Sequence, residues 1–433
     1  MSRVLILSLN YAPEPTGFAP HTTALAEHLV TAGYDVTVVT GFPFAPRWAR
    51  WPAYRGEIVR DEIMNGVHVV RTTHFIPRKP GHVFQRILME GSFAAAAGLQ
   101  LLIRHLRPGR RYDLVIYVGA QPAIAWLARI AAAVSRVPYV VKITDLAARA
   151  ALDVGIVGTS WQARILERIE IGAYRGARAA IVLCDAFKTA LVDDGFPIEA
   201  IHVIRDSVDL KAIRTDGDGK VFRERNGIRR EEFVVLYSGS LGLKQGLFDV
   251  VDAAELLATE SPDVRWVVVG EGEMRDALAK RVASAEIGHR VILLPLQREA
   301  ELGEMFAAAD MLLLSQLRSV KDTVIPSKLL MYMAAGRPIL AAVNPSSQAA
   351  MIVRDSGGGF IVAPEDSRAL ADGVSDVKSR PSDRDLMARR GRAYAEQHFD
   401  RDAIVIAQQK VIEEVISGQT AGIVRTAGSA ADF

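Results

Sequence analysis

Apolar residues along the chain fall into two alternating rhythms. Short β-branched runs (VLILSL, DVTVVT, VHVVRT, DLVIYV, PYVVKI and AAIVLC) are separated by amphipathic stretches of helical length. Past residue 232 a second series follows: EFVVLYSG, VRWVVVG, RVILLP, DMLLLS and RPILAA. Nearly continuous apolar strands between helices describe parallel sheets, because the crossover helices cover both faces and leave neither to water. Each series opens with its own glycine-containing loop. The pattern predicts an α/β chain of two Rossmann-like domains.

The rhythm breaks at DSVDLKAIRTDGDGKVFRERNGIRREE, which is polar, charged and without a long apolar period. An N-terminal domain is therefore expected over 1–205 and a C-terminal one over 206–399. The stretch DAIVIAQQKVIEEVI returns to helical periodicity, and residues 400–417 are expected to pack back on the first domain. Residues 418–433 are small and polar and read as a flexible tail.

Composition narrows the classes. Half the residues are apolar and 24% are charged, which is ordinary for globular domains. A formal net charge of +2 gives no global field for nucleic acid. The single cysteine, Cys184, excludes an intramolecular disulfide and reads as a small buried hydrophobe at a strand end. The first apolar run is too short for a signal peptide and leads into a proline-rich turn. ILMEGSFAAAAGLQLLI, Ile87 to Ile103, is apolar apart from Glu90, Ser92 and Gln100, and slightly shorter than the roughly 20 residues that span a bilayer. Arg78, Lys79 and Arg86 precede it; Arg104, Arg107, Arg110 and Arg111 follow. Two readings stay open: a buried helix, or a helix resting on an anionic membrane. The second would make the protein peripheral on the cytoplasmic face of the plasma membrane.

Several loops carry candidate chemistry. In NYAPEPTGFAPHT, Gly17 stands before a helix that starts near His21, where a backbone can approach an anion; a plain βα turn has the same pattern. GSLGLKQG combines Gly239, Ser240, Gly242 and Gly246 with Lys244, whose ammonium could meet a diphosphate. VVVGEGEMRDAL repeats the strand–glycine–helix order at Gly270 and Gly272; Glu271 and Glu273 read as ribose ligands or, preferentially, as first-turn acids favoured by the helix dipole. In SVKDTVIPSKLLMYMAAGRPILA, Ser327 is expected to cap a helix with Lys328 in its first turn. A lysine there is unfavourable unless an anion is present, so Lys328 is a phosphate-binding candidate, with Asp322 upstream as a partner for a sugar hydroxyl. Asp145 follows a strand end, where ligands bind in such sheets, and equally suits a helix N-cap. The DGD at Asp216 to Asp218 lies in the polar break with no strand before it and reads as a turn. RWARWPAYRGE, with Trp48 and Trp51, is a candidate acceptor or membrane-facing loop, as is Arg86. No metal-ligand, serine-hydrolase or P-loop signature occurs, and no metal is expected.

NYAPEPTG, YSGSLGLKQGL, LPLQREAELGEMFAAADMLLLSQ and DTVIPSKLLMYMAAGRPILA, in that order, resemble retaining glycosyltransferases of the GT-B fold, family four, over about residues 3 to 415. Within that family the chain resembles the colanic-acid fucosyltransferases and the O-antigen N-acetylfucosamine transferases. The resemblance implies two domains facing across a cleft, a UDP- or GDP-linked sugar held mainly by the second, and a glycan or polyprenyl-diphosphate-linked acceptor held by the first. It implies metal-independent transfer in bacterial surface polysaccharide synthesis, with Gly17 near the donor; Asp145 and Asp322, from the reading of their loops, are the catalytic candidates. Lys244 matches the family's diphosphate lysine, whereas Ser240 stands where its arginine is usual. The family's two glutamates, eight residues apart, are replaced here by Thr323 and Met331. That loss keeps open a sugar-nucleotide epimerase of the same fold, or a non-catalytic sugar-nucleotide-binding subunit.

Overall fold

The computed structural model describes all residues except 16, 80, 106–110, 147–159, 214, 321–324 and 419–433. The chain divides into two units, Met1–Arg205 with the segment from Asp402, and Asp206–Arg401.

The first unit is built on eight strands: β1 (Arg3–Leu7), β2 (Asp35–Gly41), β3 (Val59–Met64), β4 (Val67–Thr72), β5 (Leu114–Gly119), β6 (Tyr139–Ile143), β7 (Ala179–Val182) and β8 (Ile201–Val203). Their order is β3-β4-β2-β1-β5-β6-β7-β8, and all neighbours are parallel except the β3–β4 hairpin at the edge. That hairpin turns on Asn65 and Gly66, both at positive φ, as a two-residue turn between twisted strands requires. Around the sheet lie α1 (Ala19–Thr31), α2 (Val83–His105), α3 (Pro122–Ser135), α4 (Ser160–Tyr174) and α5 (Asp185–Asp193). Cys184 stands buried at the N-cap of α5, and burial pushes its thiol up, consistent with a packing role.

The second unit holds β9 (Phe233–Ser238), β10 (Val264–Val269), β11 (Val291–Leu294), β12 (Met311–Ser315), β13 (Ile339–Ala342) and β14 (Gly359–Val362). The order β11-β10-β9-β12-β13-β14 is fully parallel. Its longer helices are α6 (Phe248–Glu260), α7 (Arg275–Ser284), α8 (Ser327–Ala334), α9 (Gln348–Ser356), α10 (Ser367–Ser379) and α11 (Pro381–His398). Alternate residues of β9 supply the cores on the two faces: Val234 and Leu236 one, Phe233, Val235 and Tyr237 the other. Both faces are therefore dry, which explains the unbroken apolar runs.

The last helix, α12 (Arg401–Ser417), belongs to the first unit. Val411, Ile412 and Val415 join the core formed by Val4, Ile6, Leu25 and Ile116, and His28 of α1 meets Gln409 at 2.6 Å.

Candidate functional site

Ligands of open α/β sheets collect where the strand order reverses, because loops leaving adjacent strand ends there run in opposite directions and open a crevice. In the second unit that point lies between β9 and β12. The loop after β9 carries Gly239 to Gly246. The chain after β12 leads to α8, whose second residue is Lys328.

Tyr332 fixes the end of α8 against β9. Its buried hydroxyl accepts the Ser238 amide at 2.8 Å and donates to the Ser238 carbonyl at 3.0 Å. One helical turn earlier, Lys328 then falls over Tyr237. The Lys328 ammonium donates to the Tyr237 hydroxyl at 2.8 Å and to Gln245 Oε1 at 2.5 Å, and sits 4.5 Å from the Tyr237 ring centroid. The Tyr237 hydroxyl in turn donates to the Ser240 carbonyl at 2.6 Å. Burial pushes that phenol well above its ordinary value, so it stays a neutral hydroxyl. A cation in the first turn of a helix opposes the dipole, and here a ring face and two neutral oxygens hold it in place. The arrangement orients an ammonium in the first turn of the helix, a setting that suits a phosphate oxygen. A Cβ at Gly239 would come within 3.2 Å of the Lys328 Cε, so the lysine stem runs directly along that residue.

The other sequence candidates distribute around this point. Lys244 is exposed on the short turn Leu243–Gln245, adjacent to Gln245. Ser240 is exposed, and its carbonyl anchors Tyr237. Ser327 does not cap α8: Pro326 occupies the N-cap and Ser327 is the first helical residue, its side chain making no cap bond, because the cap position requires extended backbone and proline supplies it. Gly270 and Gly272 serve a close backbone approach. A Cβ at Gly270 would stand 1.9 Å from the Gly239 carbonyl oxygen, and one at Gly272 2.4 Å from that of Leu241. The second glycine loop thus buttresses the first, helped by Leu241 N–H donating to the Glu271 carbonyl and Met274 N–H to that of Leu241. The dipole reading of Glu271 and Glu273 is corrected: α7 has Met274 at its N-cap, so both glutamates precede the helix and Asp276 is its first-turn acid. Glu271 instead lies 4.0 Å from Arg275. Asp322 and Thr323 lie outside the described residues; Met331 is half-buried against the core.

In the first unit, the reversal lies between β1 and β5. Gly17 is exposed at positive φ ahead of α1, with open space where a Cβ would stand. Asp145 is half-buried past β6 and accepts the Leu146 amide at 2.8 Å. Trp48 packs 5.4 Å from Phe44, with the Arg86 guanidinium 5.1 Å from its ring, while Trp51 Nε1 donates to the Ala45 carbonyl at 3.0 Å. These aromatic residues pin a loop as well as lining it.

Two carboxyls went unremarked in the sequence as site residues. Glu14 is buried and accepts the Phe44 and Ala45 amides, both at 2.8 Å, and Asn10 Nδ2 at 2.7 Å, tying the Gly17 loop to the tryptophan loop. Its signal was an acid held between two prolines. Glu90 is lifted to about 7 by burial, opposed by Arg86 and reinforced by Glu170. Its signal was a lone acid in an apolar helix.

Asp218 accepts the Lys220 amide at 3.0 Å, and Gly219 is the N-cap of a short helix, so the DGD is a turn. Among the described residues no group of three His, Cys, Asp or Glu could hold a metal.

Comparison with known proteins agrees with this layout. Residues 16–206 match the family described as glycosyl transferase 4-like domain, and residues 218–394 match glycosyl transferases group 1. The protein is a GT-B glycosyltransferase. An Escherichia coli protein provisionally named a colanic acid biosynthesis glycosyl transferase is 24% identical over 413 residues, covering 93% of this chain and 98% of that one. Sucrose-phosphate synthase of Thermosynechococcus elongatus has the same fold, with a TM-score of 0.72 at 18% identity over 97% of this chain and all of that one. So does Anabaena HepE, solved in complex with UDP-glucose, with a TM-score of 0.68 at 19% identity over 96% and 100%.

Proposed function

We propose that this glycosyltransferase moves a sugar, with retention of configuration, from a UDP- or GDP-linked donor to a glycan or polyprenyl-diphosphate-linked acceptor. The product belongs to a bacterial surface polysaccharide. The observation that carries the reading is Lys328, oriented by Tyr237 and Gln245 at the β9/β12 reversal with Lys244 on the neighbouring turn. As the glycosidic bond to the donor breaks, charge develops on the leaving diphosphate. Lys328, Lys244 and the first amides of α8 would stabilise it, a role that needs no metal. Asp322 and Asp145 are assigned to sugar hydroxyls. The Trp48 loop, with Trp51 and Arg86, is assigned to the acceptor. HepE's complex with UDP-glucose supports a uridine donor.

We place the enzyme in the cytoplasm, peripheral on the inner face of the plasma membrane. Among the described residues one helix, Val83–Arg104, is long and apolar enough to cross a membrane by length and composition. Met89, Phe93 and Ala97 face inward, whereas Phe84, Ile87, Leu88, Leu99, Leu102 and Ile103 are exposed along the opposite side. An apolar stripe of that length suits an interface, with the other face retained by the protein.

The test is product analysis. Purified enzyme is incubated with UDP- and GDP-sugars, with and without membrane extract. Transfer to a lipid-extractable acceptor is expected. A changed sugar nucleotide without acceptor would identify an epimerase, and binding without turnover a non-catalytic subunit; either overturns the reading.

A further inference from the structure

A cavity of about 190 Å³ is lined in part by Gly242 and Gly246 of the Gly239–Gly246 loop. Met274 and Leu278 of α7 and Leu317 form its apolar walls. Leu243 and Phe248, 62% and 40% exposed, extend the apolar surface at its rim. Two carboxylates also line it, Asp249 in the first turn of α6 and Glu365 beyond β14.

Among the described residues neither carboxylate forms an ion pair. Asp249 makes no side-chain hydrogen bond or ion pair among the described residues, and its neighbours Asp252, Glu365 and Asp366 carry the same charge. Among the described residues Glu365 accepts the backbone amide of Arg318, at 2.8 Å, while the Arg318 guanidinium donates to the Pro364 carbonyl. Glu365 holds φ at +58° in the exposed turn that follows β14. Glu365 is exposed and Asp249 half-buried, so both carboxylates keep contact with water at the rim, and a cation with a hydrocarbon body could meet them and the apolar walls together. Burial and the like charges hold the Asp249 carboxyl above its ordinary value.

We propose that this cavity binds a small organic cation, an alkyl- or arylammonium ion whose hydrocarbon fills the apolar walls while its N–H groups reach Asp249 and Glu365. The volume fits a single ring: a dry cavity of about 150 Å³ accepts benzene. The site is separate from the transfer reaction and does not rest on it, although its occupant would press on the loop that carries Lys244 and Gln245.

Calorimetric titration of the intact protein with benzylammonium chloride tests it, with benzyl alcohol as the neutral isostere. Saturable binding at least roughly tenfold tighter for the ammonium is expected, the usual margin of a charge-assisted contact. Asp249→Asn and Glu365→Gln should each remove most of that margin while circular dichroism stays unchanged. Equal affinity for the alcohol, or unaltered ammonium affinity in both variants, would overturn the proposal. So would competitive displacement by UDP, which would place the amine in the nucleotide site. Loss of UDP binding alone would sink the transfer reading and leave the cation site standing.

Discussion

The Lys328 ammonium lies 4.5 Å from the ring centroid of Tyr237 and donates to the hydroxyl of that same residue at 2.8 Å. One aromatic side chain thus fixes both the height and the direction of the lysine, and Gln245 closes the third side. Removing the ammonium should therefore cost donor binding without costing the fold. Lys328→Ala and Lys244→Ala are each expected to weaken UDP or GDP binding roughly ten- to a hundredfold, the range for a lost charge-assisted bond. Tyr237→Phe keeps the ring and should cost less than Lys328→Ala. Titration calorimetry reads all three, and unchanged nucleotide affinity in both lysine variants would remove the donor site.

Transfer should persist in chelator. Two lysines and the first amides of α8 can carry the charge of the leaving diphosphate. Turnover in excess EDTA is the measurement; activity abolished by EDTA and restored by a divalent ion would contradict the assignment.

The paired glycine loops predict a stability effect rather than a binding effect. A methyl at Gly270 has only 1.9 Å to the Gly239 oxygen, a backbone atom that cannot swing away. Gly270→Ala should lower stability by about 1–3 kcal/mol, as overpacking usually does. Gly17→Ala, with open space around it, should cost less, limited to the strain of its +66° φ. Denaturant melts compare them, and equal midpoints would show the loop shifts freely.

Glu90 predicts the pH dependence. Burial raises its carboxyl to about 7 from an ordinary 4.5. A raised carboxyl takes up its proton more readily in the folded state, so its contribution favours folding at low pH and is lost as pH climbs through about 7. Glu90→Gln abolishes that ionisation and keeps an acceptor for the Ala123 amide. The variant should melt above the parent at about pH 8, with the advantage gone near pH 5. A constant difference across that range would mean Glu90 is not the titrating group.

The fold was legible because it rests on local signals. Apolar strand runs, helical periods and glycines at strand ends all act within a few residues. The contacts that shape the site act over longer separations. Tyr332 bonds Ser238 across 94 residues, and Glu14 reaches Phe44 across 30. A tyrosine in an apolar helix looks like core, and nothing local marks its hydroxyl as the bolt that places Lys328. Gly270 and Gly272 signalled a close approach, yet the sequence could not say whether ligand or backbone came near; backbone did. Arg104 shows the opposite failure. It reads as one of a basic cluster, but its side chain is buried and meets both oxygens of Asp61, at 2.6 and 2.8 Å.

That ion pair changes how membrane binding should be tested. Arg107 and Arg110 lie outside the described residues, Arg111 is exposed, and Arg86 is committed to Trp48. Arg104 is buried, so replacing it removes packing along with charge and cannot separate binding from stability. The apolar stripe can. Ile87 and Leu102 are 61% and 57% exposed, so Ile87→Ser and Leu102→Ser remove little buried area and should leave the melting midpoint nearly unchanged. If the stripe rests in the lipid interface, each loses on the order of 1 kcal/mol or more of membrane affinity, since about 25 cal/mol is gained per Å² of apolar surface taken from water. Flotation with anionic liposomes is the measurement. The parent should float at low salt, high salt should weaken but not abolish its binding, and the double variant should stay in the soluble fraction. Transfer to lipid-linked acceptors should slow in that variant more than transfer to soluble analogues. A parent that never floats would leave α2 as a surface helix of a protein that works away from membranes.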